Sequence, residues 1–200
     1  MWGAALLNDN AASHDAVTEL LNRAAIGDVL QRYCHAVDRC DAELLRTVYW
    51  PGAQDDHIFW QGVAEDFVDF CIPVLQSRDQ TMHSITNILI RIEGAVAYVQ
   101  SYYRAYERLR RKDGTANDIT MYGRYLDRME KRDGEWRIAD RKVQMDWWRI
   151  WEDSADWDRG VFGKRLEVGK RGEQDPSAEL FGARLLQPLT AGEQSGPTRR

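Results

Sequence analysis

The sequence predicts an α+β fold in which helices cover one face of a strongly curved, mostly antiparallel sheet. Three observations carry this. Before about residue 78 the apolar residues recur at helical spacing, and from residue 81 they alternate. Two tight-turn signals, "EGAV" at 93–96 and "RDGE" at 132–135, join the alternating stretches into hairpins. Helical patterns gathered ahead of a run of hairpin strands call for a two-layer architecture. A bent sheet under a helical layer encloses a cone-shaped pocket.

The elements follow in order. Residues 1–14 are an N-terminal extension, and 15–163 form the folded domain. Residues 15–38 read as a helix with Ile26, Leu30, Tyr33 and Val37 on one stripe; Asp38 sits at the edge of that stripe and His35 on the opposite face. Asp41 is a plausible N-cap for a short helix carrying Leu44, Leu45 and Val48. "WPGAQDD" (50–56) has turn composition, and "HIFWQG" (57–62) reads as a short strand. Phe67, Phe70, Cys71, Val74 and Leu75 mark a third helix over 63–78, which Pro73 should kink or shorten. Strands are expected at 81–93, 95–108, 117–131 and 135–148, with the polar connection "LRRKDGTA" at 109–116. From 164 to 200 glycine, proline and charge dominate; this tail is expected to be disordered or draped over a neighbouring subunit.

Composition excludes several functions. A net charge of −5 and a pI near 5.4 argue against nucleic-acid or anionic-membrane partners, which require a basic face. No Walker, Rossmann or zinc-finger spacing is present. Three cysteines without a CxxC read as free thiols of a reducing, cytoplasmic compartment. "MWGAALLNDN" is not a convincing signal peptide, and no stretch is long enough to span a membrane. The four histidines form no recognisable metal set, so neither metal nor cofactor is expected.

Polar residues on inward faces point to chemistry. In "TMHSITNILIRIEG" alternation puts His83, Ile85, Asn87 and Leu89 on one side. A single such histidine is most simply a hydrogen-bonded core residue. In "RIADRKVQMDWW", however, Ala139, Arg141, Val143, Met145 and Trp147 share a face, so an arginine also lies among apolar residues and needs a partner or a cavity. Asp38 supplies a carboxylate. Aspartate, histidine, asparagine and arginine together exceed what a simple core holds. A neutral imidazole is a good base near neutral pH, and a carboxylate on its other nitrogen fixes the tautomer and stabilises the imidazolium. Tyr33 and His57 are candidate acids, and Arg141 a candidate for stabilising a developing anion. Tyr49, Trp50, Asn87, Trp147 and Trp148 are the candidate substrate contacts. Trp147, Trp148, Trp151 and Trp157 crowd one segment, which suits a lid over a flat aromatic substrate or an oligomer contact.

In "AAIGDVLQRYCHAVDRCDAELL", "TMHSITN" and "GRYLDRMEKRDGEWRIADR" the sequence resembles the SnoaL-like branch of the nuclear-transport-factor-2-like superfamily, over roughly residues 17–150. The resemblance implies an α+β cone around an apolar pocket. It also implies the cofactor-free lyase chemistry of hexachlorocyclohexane dehydrochlorinase, scytalone dehydratase and bile-acid 7α-dehydratase. By motif, Asp38 and His83 match the Asp–His dyad, Arg141 resembles the dehydrochlorinase's pocket arginine, and Tyr33 matches the tyrosine position of the bile-acid enzyme. His57 departs from the pattern, standing about where the dehydratases place a tyrosine. The implied reaction is elimination of water, halide or formaldehyde from a hydrophobic aromatic or polycyclic molecule, a lignin-derived diaryl propanoid among the candidates. An isomerase or cyclase using the same dyad, and a non-catalytic ligand-binding or assembly module, are the alternatives. A homo-oligomer is implied, a trimer ahead of a dimer.

Overall fold

The computed structural model describes residues 3–152, 159–160, 163–164 and 168–182, with side chains from residue 14 onward. Helix α1 (Gly3–Arg39) runs back through the N-terminal extension, so that segment continues the domain's first helix. Its stripe of Ile26, Val29, Leu30, Tyr33 and Val37 is buried against the sheet. The chain leaves α1 through a Schellman motif: Cys40 is left-handed (φ 55°), Cys40 N–H bonds Val37 O, and Asp41 N–H bonds Ala36 O. Asp41 then caps α2 (Ala42–Thr47) by accepting from Leu44 N–H at 2.9 Å, as its position predicts.

"WPGAQDD" is a strand, not a turn: β1 spans Tyr49–Asp56 and pairs parallel to β6. Its pairing is irregular between Tyr49 and Gln54, where Pro51 and Gly52 sit, which is how turn-like composition is accommodated in a strand. The stretch expected as a strand from residue 57 is mostly a bend, and β2 is only Gln61–Val63. Helix α3 (Ala64–Gln76) carries Pro73 near its end and buries Phe67, Val68, Ile72 and Leu75. Four long strands follow: β3 (Gln80–Glu93), β4 (Val96–Arg110), β5 (Ala116–Arg132) and β6 (Glu135–Glu152). The sheet order is β2-β1-β6-β5-β4-β3, so only the last four strands form a simple meander. The sheet is open and mixed, and the helices pack on one face, the cone-type α+β fold.

Three one-residue bulges reset which side chains face inward. Two residues of β3, Asn87 and Ile88, oppose Ser101 alone. On β6, Ala139 and Asp146 are each an extra residue opposite β5. Each extra residue reverses the alternation beyond it.

The tail is fastened where it is described. After a short 3₁₀ turn (Gly172–Gln174), α4 (Pro176–Phe181) docks on its own chain, with Phe181 edge-on to His35 at 6.0 Å and Asp175 paired to Arg39 at 2.8 Å. Among the described residues no helix is long and apolar enough to cross a membrane.

Candidate active site

The last turn of α1 brings Asp38 against the start of β3. Its two oxygens take separate donors from one residue: Oδ2 accepts His83 N–H and Oδ1 bonds His83 Nδ1, both at 2.7 Å. The main-chain bond fixes where the carboxylate sits, and the second holds the ring. Asp38 and His83 side chains are 9% and 11% exposed. In the neutral ring that donates Nδ1–H to Asp38, Nε2 carries the free lone pair, and no described residue hydrogen-bonds it. Across the sheet His83 pairs with Ala105, Ala105 with Met121, and Met121 with Trp148, so these four share one inward row. Trp148, 62% exposed, ends that row. In the next row Tyr103 lies over Gly123. A Cβ there would meet Gln144 O at 2.1 Å and Tyr103 Oη at 2.7 Å, so only glycine leaves space for the ring.

A second Asp–His pair lies in the β1–β2 connection. His57 Nδ1 bonds Asp55 Oδ1, Tyr49 O–H donates to Asp55 Oδ2 at 2.7 Å, and Tyr33 Oη lies 3.2 Å from His57 Nε2. Phe67 stacks on the His57 ring at 4.1 Å. Burial holds the phenols of Tyr33, Tyr49 and Tyr125 well above their usual range, so all three remain protonated. Tyr33 then donates to a neutral His57, or accepts from a charged one.

Arg141 sits inside the protein with its side chain fully shielded. Nε and Nη2 form a bidentate pair with Asp127 at 2.7 and 2.8 Å, and the guanidinium sits in the corner formed by the edge-to-face rings of Tyr33 (4.1 Å) and Tyr125 (4.2 Å). Burial favours loss of its proton, and the Asp127 charge more than offsets that, so Arg141 stays charged. Nη1 has no hydrogen-bond partner among the described residues. Burial, with the field of Asp38, pushes the Cys34 thiol up to about 12, and burial with Asp55 does the same to Cys71, which disfavours the thiolate form of both near neutral pH. Among the described residues no three His, Cys, Asp or Glu side chains converge as a metal site.

Residues 18–142 match the model of the SnoaL-like domain. The chain belongs to the SnoaL-like family. The fold is shared with a hexachlorocyclohexane dehydrochlorinase of type 2 (TM-score 0.64, 19% identity, 73% of this chain and 99% of that one). It is likewise similar to a putative scytalone dehydratase from Novosphingobium aromaticivorans (TM-score 0.61, 19% identity, 78% and 99%) and to a Kribbella flavida protein (0.60, 19%, 66% and 95%). No curated protein sequence matches the chain significantly.

Within this SnoaL-like frame the residues expected at the site divide. Asp38 and His83 touch each other, and Tyr33 and His57 touch each other. Arg141 pairs with Asp127 and packs on two tyrosine faces, which leaves Nη1 as its one donor nitrogen without a partner among the described residues. Tyr49 is a core residue, 3% exposed, holding Asp55. Trp50 is anchored to Glu130 O at 2.9 Å between the guanidiniums of Arg132 and Arg137, away from the dyad. Asn87 is exposed at the β3 bulge with φ 47°, and Ile90 and Ile92 take over the inner face beyond it. The bulge at Asp146 turns Trp147 to the outer face, stacked on Tyr122 at 4.1 Å, and leaves Trp148 in the inner row. Trp157 lies outside the described residues. The sequence reasoning missed Asp55, Asp127 and Arg171. Asp55 and His57 are two apart and would have shared a face had 50–56 been read as a strand. An unbulged hairpin centred on "RDGE" pairs Asp127 with Asp140, and the extra residue Ala139 moves Arg141 into that place.

Proposed function

We propose that this protein is a cofactor-independent lyase that eliminates a small group from a hydrophobic, aromatic or polycyclic molecule, with His83 as general base and Asp38 as its partner. The observation that carries this is the two-point contact of Asp38 with His83, which leaves Nε2 as the basic nitrogen with no described partner. Nε2 takes a proton from a carbon beside an activating group, or from a hydroxyl, and the electron pair expels the leaving group. Asp38 stabilises the imidazolium that forms. A departing hydroxyl needs a proton in turn. The Tyr33–His57–Asp55 chain supplies one: Tyr33 gives up its O–H proton and is reprotonated from His57 Nε2 when that ring is charged. The row of Ala105, Met121 and Trp148 that runs across the sheet from His83 suits a flat apolar substrate. The dehydratase and dehydrochlorinase among the fold's neighbours support water and halide as leaving groups. Formaldehyde released from a lignin-derived diaryl propanediol fits the same base.

Isomerisation or cyclisation is the second reading. It is favoured by the presence of two separate Asp–His pairs, one to remove a proton and one to return it. A single experiment addresses both. The protein is incubated with a chlorinated cyclohexane, a β-hydroxy ketone and a 1,2-diaryl-1,3-propanediol, following chloride, loss of water and formaldehyde, with product masses compared. Elimination leaves a product lighter than the substrate; isomerisation conserves mass. His83→Ala should lower turnover by roughly a hundred- to ten-thousandfold with the circular dichroism spectrum unchanged. Asp38→Asn should be comparably severe, and the double variant no worse than the worse single one. Turnover that survives His83→Ala would sink the reading.

A further inference from the structure

We propose that the segment from Val168 to Ser177, beyond the matched family region, is a clamp that sets the geometry of the Asp38–His83 pair, with Arg171 as its positioning residue. The proposal rests on that pair being the working site.

Arg171 reaches into the place where α1 ends and β3 begins, close to both residues of the dyad. Its Nη1 donates to the main-chain oxygen of Asp38 and to Thr81 Oγ1 (2.6 Å), and Nη2 donates to Leu75 O (3.3 Å). Asp38 lies in the last turn of α1 and Leu75 in the last turn of α3, where carbonyls lack their in-helix partners and carry the negative end of the helix dipole; Leu75 O accepts from Arg78 N–H (3.1 Å) as well as from Arg171. One guanidinium therefore caps two helices at once, and its planar, many-donor head suits acceptors arriving from several directions. The third acceptor, Thr81, is 3% exposed and stands two residues before His83 on the same face of β3. Arg171 thus ties the backbone of the carboxylate residue to the strand of the imidazole.

The segment that carries Arg171 is itself held at the neighbours of both residues. Arg39, next to Asp38, donates to Asp175 Oδ2 (2.8 Å) and to Lys170 O (2.7 Å). Asp175 also accepts from Lys170 N–H (2.9 Å) and, at the start of α4, from Ser177 N–H (3.0 Å). Gln80, next to Thr81, donates to Gly169 O (3.3 Å). At Gly169 a Cβ would lie 2.9 Å from Arg39 Nη1, so the segment's backbone runs directly beside the Arg39 guanidinium. A dyad held by two short bonds from one carboxylate tolerates little movement between residues 38 and 83, and these contacts span that gap.

The test needs no substrate. In the ¹⁵N-labelled full-length protein, the His83 Nδ1–H proton is identified as the imidazole resonance missing from His83→Gln, and its exchange with solvent is measured. Arg171→Ala should speed that exchange at least about tenfold, the scale of one net hydrogen bond lost. Arg171→Lys keeps the charge at the helix ends but reaches fewer acceptors, so it should restore part of the protection. Asp175→Ala, which loosens the segment without touching Asp38, should move the exchange in the same direction. A folded Arg171→Ala protein with unchanged His83 exchange overturns the proposal. If that variant does not fold, unchanged exchange in both Arg171→Lys and Asp175→Ala overturns it. Failure to turn over any substrate bears on the lyase reading alone and leaves this measurement standing.

Discussion

Removing the anion from the buried Asp127–Arg141 pair is the sharpest test of the core. In Asp127→Ala, Arg141 loses two charge-assisted hydrogen bonds while its side chain stays shielded from water. Leaving one member of a buried ion pair without its partner costs about 3–5 kcal/mol. Two contributions remain. The faces of Tyr33 and Tyr125 lie 4.1 and 4.2 Å from the guanidinium, and Asp55 stands in register on the neighbouring strand β1. Desolvated cation–π contacts contribute about 2 kcal/mol each, but they are present before and after the change and do not alter the difference. Relaxation toward Asp55 reduces it, so about 3 kcal/mol is expected. With a urea slope of ~1–3 kcal/mol/M, the unfolding midpoint falls by about 1–3 M. Equilibrium urea denaturation followed by tryptophan fluorescence reads this directly. The double change Asp127→Leu/Arg141→Met should recover most of the loss, because apolar side chains need no partner in that position. A single variant that loses less than about 1 kcal/mol, the scale of an exposed pair, would refute the reasoning. So would a double variant as unstable as the single one.

Gly123→Ala should cost about 3 kcal/mol or fail to fold, since the new methyl meets a main-chain oxygen and a Tyr103 ring already stacked on Tyr125 at 4.6 Å; thermal melting checks it. Burial would raise the Asp175 carboxyl, yet hydrogen bonds from Ser177 and Lys170 and the charge of Arg39 hold it well below its ordinary 3.8. A depressed folded value means its contribution is complete above 3.8 and is lost as pH falls through that lower folded value. Amide protection in 168–182, taken relative to the intrinsic exchange rate at each pH, should therefore hold from pH 7 down to about 4 and fall only below that; loss of protection already at pH 5–6 would contradict this attachment. Light scattering should give a multiple of 23.2 kDa, because Leu89, Tyr98, Tyr102 and Trp147 expose apolar surface on the described chain; a monomer at micromolar concentration would count against assembly.

Much of the candidate site's geometry was legible because Asp38 and His83, which meet in the structure, stand at places that sequence locates well. Asp38 ends a strongly periodic helix, and His83 opens an alternating strand before any irregularity intervenes. The residues expected to contact substrate were less legible. Asn87 and Trp147 lie at or beyond bulges, and one inserted residue sends every later side chain to the other face. Tyr49 and Trp50 are aromatic near the end of α2, but composition does not say which of two strand faces an aromatic ring joins.

The sequence by itself determined the kinds and order of the major elements and two of the hairpin turns. It also determined the presence of an ionisable set too large for an apolar core. These are local properties, set by periodicity over a few residues and by glycine and aspartate at positive φ in tight turns. The family resemblance implied the Asp38–His83 pair, but only the tertiary structure decided the other pairings. Asp55 takes His57, and Arg141 goes to Asp127 because a bulge at Ala139 shifts the register by one. Only the tertiary structure, too, folds the region around Arg171 back onto the ends of two helices. Such pairings depend on contacts between residues tens of positions apart, and an extra residue in a strand leaves almost no trace in the pattern that encodes the strand.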